Sequence, residues 1–291
     1  MYLVKSVSTK RKVTSNKMKR KETYRVIGII ALLFGVALLH LINEKQPIKV
    51  AVLDSGINKD HPALKGKIHK SFNAIQPNQP IEDHYGHGTP IAGIIAAEDS
   101  GGEMSGLAQH VSIYDVKVLD KKGNGKVADL VKGINWCIQE KVDIINISSG
   151  FQVDDLHLKK AIDEALSSGI IIISAAGNTL GQEADYPASY EGVWSITSVN
   201  SDMVRSSLAA RGKVDFAAPG TEVLSINKDG DLETFSGTSF AAAQISGYTA
   251  RILDREHKGI ENIYKMLQKE AIDLGETGPD QDYGHGLVRI K

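Results

Sequence analysis

From residue 48 onward the chain alternates short apolar runs, dense in β-branched residues, with helical segments of ten residues or more. That rhythm constrains the fold more than any other feature. Runs without polar alternation suit strands buried on both faces, and the intervening helices supply the cover, so a parallel sheet in an α/β domain is expected. Strands are expected over Ile48 to Leu53, Val111 to Leu119, Val142 to Ile147, Ile170 to Ala175 and Val193 to Val199. Val127, Leu130, Val131, Ile134, Cys137 and Ile138 recur at helical spacing, which places the single cysteine in a buried stripe. Asp155 to Ser168 and Ser239 to Leu253 make two further helices, and "INWCIQEKVDIINIS" runs from a helix into a strand. Residues 48–291 thus form one domain.

The first 47 residues are of another kind. Nine basic residues between Lys5 and Arg25 face one acid, Glu22, and "VIGIIALLFGVALLHLI" then runs from Val26 to Ile42 without a formal charge. Seventeen residues without a formal charge lie at the lower limit for a membrane span, and the basic flank orients residues 1–25 to the cytoplasm and the rest outside. A retained transmembrane or signal anchor over 26–42 is expected. A cleaved signal peptide is the rival, but the run ends without a small-x-small cleavage site. Met18 is an alternative start, and residues 43–47 form a short tether with no room for a prosegment before the first strand. Over the whole chain 34 basic and 35 acidic residues nearly cancel, so no net field recruits nucleic acid.

Four stretches carry chemistry. "VAVLDSGI" puts Asp54 at the end of a strand, where open α/β sheets gather catalytic groups. "YGHGTPIAGIIAA" sets His87 between two glycines before an apolar helix, and "FSGTSFAAAQISG" sets Ser239 at the start of another. A serine hydroxyl needs a base to become a nucleophile, and that base needs a third group to orient it. Asn178, in "IIISAAGNTLG", could donate to an oxyanion together with the Ser239 backbone N–H; alone it reads rather as a turn residue stabilised by its own side chain.

Together "DSGI", "GHGT", "AAGN" and "GTSFAA", in the order Asp, His, Asn, Ser, resemble the subtilisin-like serine protease family over Ile48 to Val288. The resemblance implies a three-layer fold with a mostly parallel sheet. It implies Ser239 as nucleophile, His87 as general base and acid, Asp54 as its orienter and Asn178 as oxyanion donor. "SSG" at Ser148, Ser149 and Gly150, with Ala175 to Gly177, resembles the backbone walls of the family's specificity pocket, and "YGHGLV" its closing strand. Asp185 stands where the pocket floor is often a small residue. A carboxylate there would attract lysine or arginine, whereas a shifted loop would leave it in solvent.

The chain also departs from the family. Pro90 follows "GHGT" in place of histidine, and Ala243 and Gln244 replace a proline and histidine after the serine. Many members bind calcium, but here Ala63 occupies the carboxylate position after the "HP" turn, and "EDSGGEMSG" offers Asp99 without a clear second ligand. No metal or other cofactor is expected. His84 lacks partners at metal-ligand spacing, and His61 and His285 need only structural roles. The expected function is a membrane-tethered, monomeric serine endopeptidase acting on extracytoplasmic proteins or peptides, inclined to limited processing after basic residues. The alternatives are a secreted degradative protease and an inactive protease-like binding module. An ester-cleaving α/β hydrolase lacks its Gly-x-Ser-x-Gly turn, since Ser239 lies in "GTSFA".

Overall fold

The computed structural model describes residues 45–98, 102–256 and 259–290. The expected anchor over 26–42 lies outside them, as does Asp99. Among the described residues, no helix is long and apolar enough to cross a membrane.

Seven strands form the main sheet in the order β2-β3-β1-β4-β5-β6-β7, every neighbouring pair parallel. They are β1 (Ile48–Asp54), β2 (Ile68–Asn73), β3 (Val111–Lys117), β4 (Ile144–Ile147), β5 (Ile171–Ala175), β6 (Trp194–Val199) and β7 (Phe216–Pro219). The five expected strands are all present. β3 stops two residues early because the N–H groups of Val118 and Leu119 both donate to the Asp54 carbonyl (2.8 and 3.1 Å), turning the chain out of the ladder. β8 (Val223–Ile226) and β9 (Leu232–Phe235) pair separately as an antiparallel hairpin. The expected closing strand is reduced to bridges from Leu287 to Ala217 and Ile272.

Helices cover both faces. α1 (Gly88–Ala96) and α4 (Thr238–Glu256) share one apolar core with Val50, Val52, Ile113 and Ile173, and α5 (Ile260–Glu270) adds Ile263 and Leu267 to it. α2 (Val127–Glu140) and α3 (Leu156–Ser167) pack on the other face against Leu53, Val116, Ile145 and Ile172. The expected stripe on α2 buries Leu130, Ile134 and Cys137, and burial pushes the Cys137 thiol up, away from the reactive thiolate. Asp155 caps α3 by accepting from His157 N and Leu158 N. α4 is buried along most of its length. Strand order reverses around β1, whose neighbours β3 and β4 lead to opposite edges of the sheet. Such a switch point opens a crevice at the strands' carboxyl ends, and Asp54 sits there.

One core residue conflicts with its surroundings. Asp115 on β3 is fully buried and its Oδ1 has no hydrogen-bond partner. Desolvation raises its pKa to about 8, the Ile57 N–H and Lys117 opposing only in part. Between the unfolded value near 3.8 and about 8 the folded protein therefore holds a proton that the unfolded chain has lost, so stability falls as pH rises through that window. Asp115→Asn keeps an acceptor for Ile57 and removes the ionisation. We expect it to unfold at higher denaturant than the parent, with a gain near zero at pH 4 growing to roughly 2 kcal/mol or more at pH 8. Urea melts at the two pH values check this; a gain that does not grow with pH speaks against it.

Candidate active site

Asp54 reaches the crevice as the last residue of β1, fully buried. Both of its carboxylate oxygens lie 2.9 Å from His87 Nδ1, and its Oδ1 also accepts from Ser55 N at 2.7 Å. His87 precedes α1, and its side chain is 21% exposed. The close approach requires glycine at the next position, because a methyl on Gly88 would lie 2.2 Å from the Gly56 carbonyl oxygen. The imidazole ring sits between Phe240 (5.3 Å between centroids) and Tyr85 (6.1 Å). Burial by itself would lower the His87 pKa, but the charge and hydrogen bond of Asp54, with Asp83 behind, more than offset it and hold the group above its ordinary value.

Ser239 occupies the first turn of α4, where backbone amides have no intrahelical acceptor and favour negative charge. His87, Ser239, Asn178, Ser148, Ser149 and Gly150 line one cleft of about 450 Å³ together with Tyr85 and Leu119. The Ser239 hydroxyl donates to the Ser148 carbonyl (3.1 Å). The loop-side amide is oriented: Asn178 Oδ1 accepts from Thr238 N (3.3 Å) and Thr238 Oγ1 (3.4 Å), which turns Nδ2 toward Gly237. An aspartate-held imidazole, a hydroxyl and two N–H donors in one cleft can perform acyl transfer.

A profile of the peptidase S8 subtilase family matches residues 45–286. The chain belongs to the subtilase family. It is 35% identical over 247 residues to the minor extracellular protease Epr of Bacillus subtilis, covering 84% of this chain and 38% of that protein. It is 36% identical over 255 residues both to subtilisin E of B. subtilis (84% of this chain, 65% of that protein) and to the subtilisin of Bacillus pumilus (84% and 90%). The chain thus spans less than two thirds of the length of the first two.

Not every expected subtilase wall residue lines the cleft. Ala175 is buried in the sheet core at the end of β5. Asp185 lies behind the cleft, half-buried, with its backbone N–H on the Ala176 carbonyl (2.9 Å) and its neighbour Tyr186 paired with Phe151 through two bonds of 2.8 Å. These bonds hold the Asp185 side chain between two glycines: a methyl on Gly150 would lie 2.4 Å from its Cβ, and one on Gly177 2.5 Å from its Oδ2. Asp185 also lines a second depression of about 470 Å³ with Gln182, Glu183 and Lys213. Desolvation raises its pKa. Lys213 is engaged elsewhere, with Asp215 Oδ2 (2.6 Å) and the Val193 carbonyl.

The other histidines have local partners. His61 Nδ1 accepts from Ala63 N (3.1 Å), His84 faces Glu82 (3.1 Å), and His285 meets Gln268 (2.8 Å). Among the described residues no group of three His, Cys, Asp or Glu side chains is placed to hold a metal ion. Sequence reasoning missed Ser55, Asp83 and Asn146. Asn146 is buried on β4 and accepts from Ser246 of α4 (2.9 Å) while donating to Ser148 Oγ (2.9 Å), so it ties the cleft wall to the helix of Ser239. Its signal was available as a lone amide inside the apolar run "IINIS".

Proposed function

We propose that this chain is a serine endopeptidase acting outside the cytoplasm and cutting peptide bonds after a basic residue. The observation that carries the reaction is the Asp54–His87 pair facing Ser239 across one cleft in a subtilase. A peptide laid along Ser148 to Gly150 brings its carbonyl to Ser239, whose hydroxyl leaves the Ser148 carbonyl and gives its proton to His87 Nε2 as Oγ attacks. Asp54 holds the imidazolium through Nδ1. The Ser239 N–H and Asn178 Nδ2 receive the oxyanion. His87 then protonates the departing amine, and water repeats the cycle on the acyl-enzyme. The mechanism calls on no cofactor. Asp185, held between Gly150 and Gly177, supports basic selectivity.

Incubation of the folded chain with a fluorophosphonate and with a peptide library tests the reading. Covalent labelling at Ser239 and cleavage after lysine or arginine are expected, and a chain that neither labels nor cleaves is a binding module instead. The relatives' names, among them an extracellular protease, favour release to the medium over the tethered form. The apolar run 26–42 supports the tether as a second reading, with residues 1–25 cytoplasmic, 43–47 linking, and 48–291 catalytic. Fractionation of cells producing a C-terminally tagged full chain separates them. Tethered protein stays in the membrane pellet through a carbonate wash, whereas released protein is found in the medium with a new N-terminus beyond residue 42.

A further inference from the structure

Behind His87 lies a carboxylate that the reaction does not touch. Asp83 is 7% exposed, and four donors converge on it: Ser55 Oγ (2.6 Å) and Gly86 N (2.8 Å) on Oδ1, Thr89 N (2.9 Å) and Thr89 Oγ1 (2.6 Å) on Oδ2. Each partner belongs to the catalytic frame. Ser55 follows Asp54, and its Oγ in turn accepts from Gly88 N (3.0 Å) and His87 N (3.3 Å). Gly86 precedes His87, and Thr89 lies in the first turn of α1. One side chain therefore fastens the strand that ends in Asp54 to the loop and helix that flank His87.

A side chain with two acceptor oxygens fits this position. Four N–H and O–H groups point inward, and its two oxygens provide the acceptor sites to meet all of them, which an amide or hydroxyl cannot do. The charge also sits at the N-terminus of α1, where the helix dipole favours it. The titratable groups facing it are Asp54 from β1, Asp115 and Lys117 from β3, His87, and Lys228 from the turn between β8 and β9. Lys117 Nζ donates to the Ser55 carbonyl and to the Glu82 carbonyl (3.1 Å), so it braces the same two segments from behind.

Building on the serine endopeptidase reading, we infer that Asp83 is a positioning residue: it locks the Asp54 and His87 segments into one unit and adds a second negative charge behind the imidazole as it becomes imidazolium. Asp83→Asn tests the charge and Ser55→Ala tests the lock, both in the full chain. In Asp83→Asn we expect kcat per titrated active site to fall about 10- to 100-fold with KM within about twofold, and the acidic limb of kcat/KM to move down by about half a pH unit or more. Ser55→Ala keeps the charge, so it should lower kcat without moving the limb.

The imidazole pKa read by NMR on isotope-labelled histidine gives the same shift without turnover. If that shift is present in a chain inert to fluorophosphonate, the endopeptidase reading fails and the role of Asp83 stands. An unmoved His87 pKa in folded Asp83→Asn overturns the inference. The asparagine leaves either Gly86 N–H or Thr89 N–H facing another donor, so the variant can fail to fold. In that case Ser55→Ala and Thr89→Val decide: both should speed exchange of the His87 Nδ1 proton with solvent, and unchanged exchange in both overturns the lock.

Discussion

Ser239→Ala is expected to lower kcat on a cleavable peptide by roughly 10⁴-fold or more and to leave KM within a few-fold of the parent. The reason is division of labour. The cleft walls at Ser148 to Gly150 and the amide of Asn178 survive the substitution, so substrate still binds, but the hydroxyl that the proposed mechanism uses for attack is gone. His87→Ala should cost a similar factor, and the double variant little more than either alone, because base and nucleophile act as one unit. Steady-state kinetics on the three variants, with circular dichroism to confirm folding, provide the check. Nearly additive losses, or a Ser239→Ala variant that retains a tenth of the parent rate, would show that the hydrolysis comes from elsewhere.

The second large effect concerns what is cut. With Asp185→Ser, kcat/KM for substrates with arginine or lysine before the scissile bond should fall about 100-fold or more, the scale for truncating one partner of a desolvated charge pair. Leucine and phenylalanine substrates should be cut as well as before or better, since the variant removes a desolvated charge and leaves Ser148, Ser149, Gly150 and Asn178 in place. The sign of the pH dependence follows from burial: Asp185 is held above the ordinary carboxylate range, and only its ionised form attracts a cation. Cleavage after basic residues should therefore fade on acidification while cleavage after apolar residues persists to lower pH, and that difference should vanish in Asp185→Ser. A fluorogenic peptide panel measured across pH reads all of this. A parent enzyme that prefers leucine or phenylalanine would remove Asp185 from the specificity pocket.

The parts of this fold legible in the sequence are those where burial leaves a pattern. β1, β4 and β5 are apolar runs because helices cover both of their faces, and α2 shows its buried stripe. β2 was invisible for the opposite reason: it is an edge strand, and His69, Lys70 and Ser71 are exposed. β8 and β9 pair only with each other, and α5 touches the core mainly through Ile263 and Leu267, too sparse a signal beside its charged face. The reactive groups were legible because glycines and small residues must surround them. Asp83 and Asn146 act through other side chains, so nothing in their local pattern separates them from an ordinary loop acid or strand amide. The placement of Asp185 depended on how the segments of Phe151 and Ala176 pair with its own, which only the folded chain reveals.

α4 carries Ser239 at its tip and then runs through the core of the molecule, while Asp54 ends a central strand; Asp185 hangs on a surface loop between β5 and β6. Thermal motion and sequence drift will therefore act on these parts unequally. Opening the segments that hold Ser239 or Asp54 means opening the whole domain, so no partly unfolded species should retain an altered chemistry. Asp185, the carboxylate proposed to select the substrate, is attached where substitutions and loop-length changes are tolerated best. A lineage built on this frame can re-aim its cut by editing a handful of loop positions, leaving the machinery that breaks the bond inherited intact.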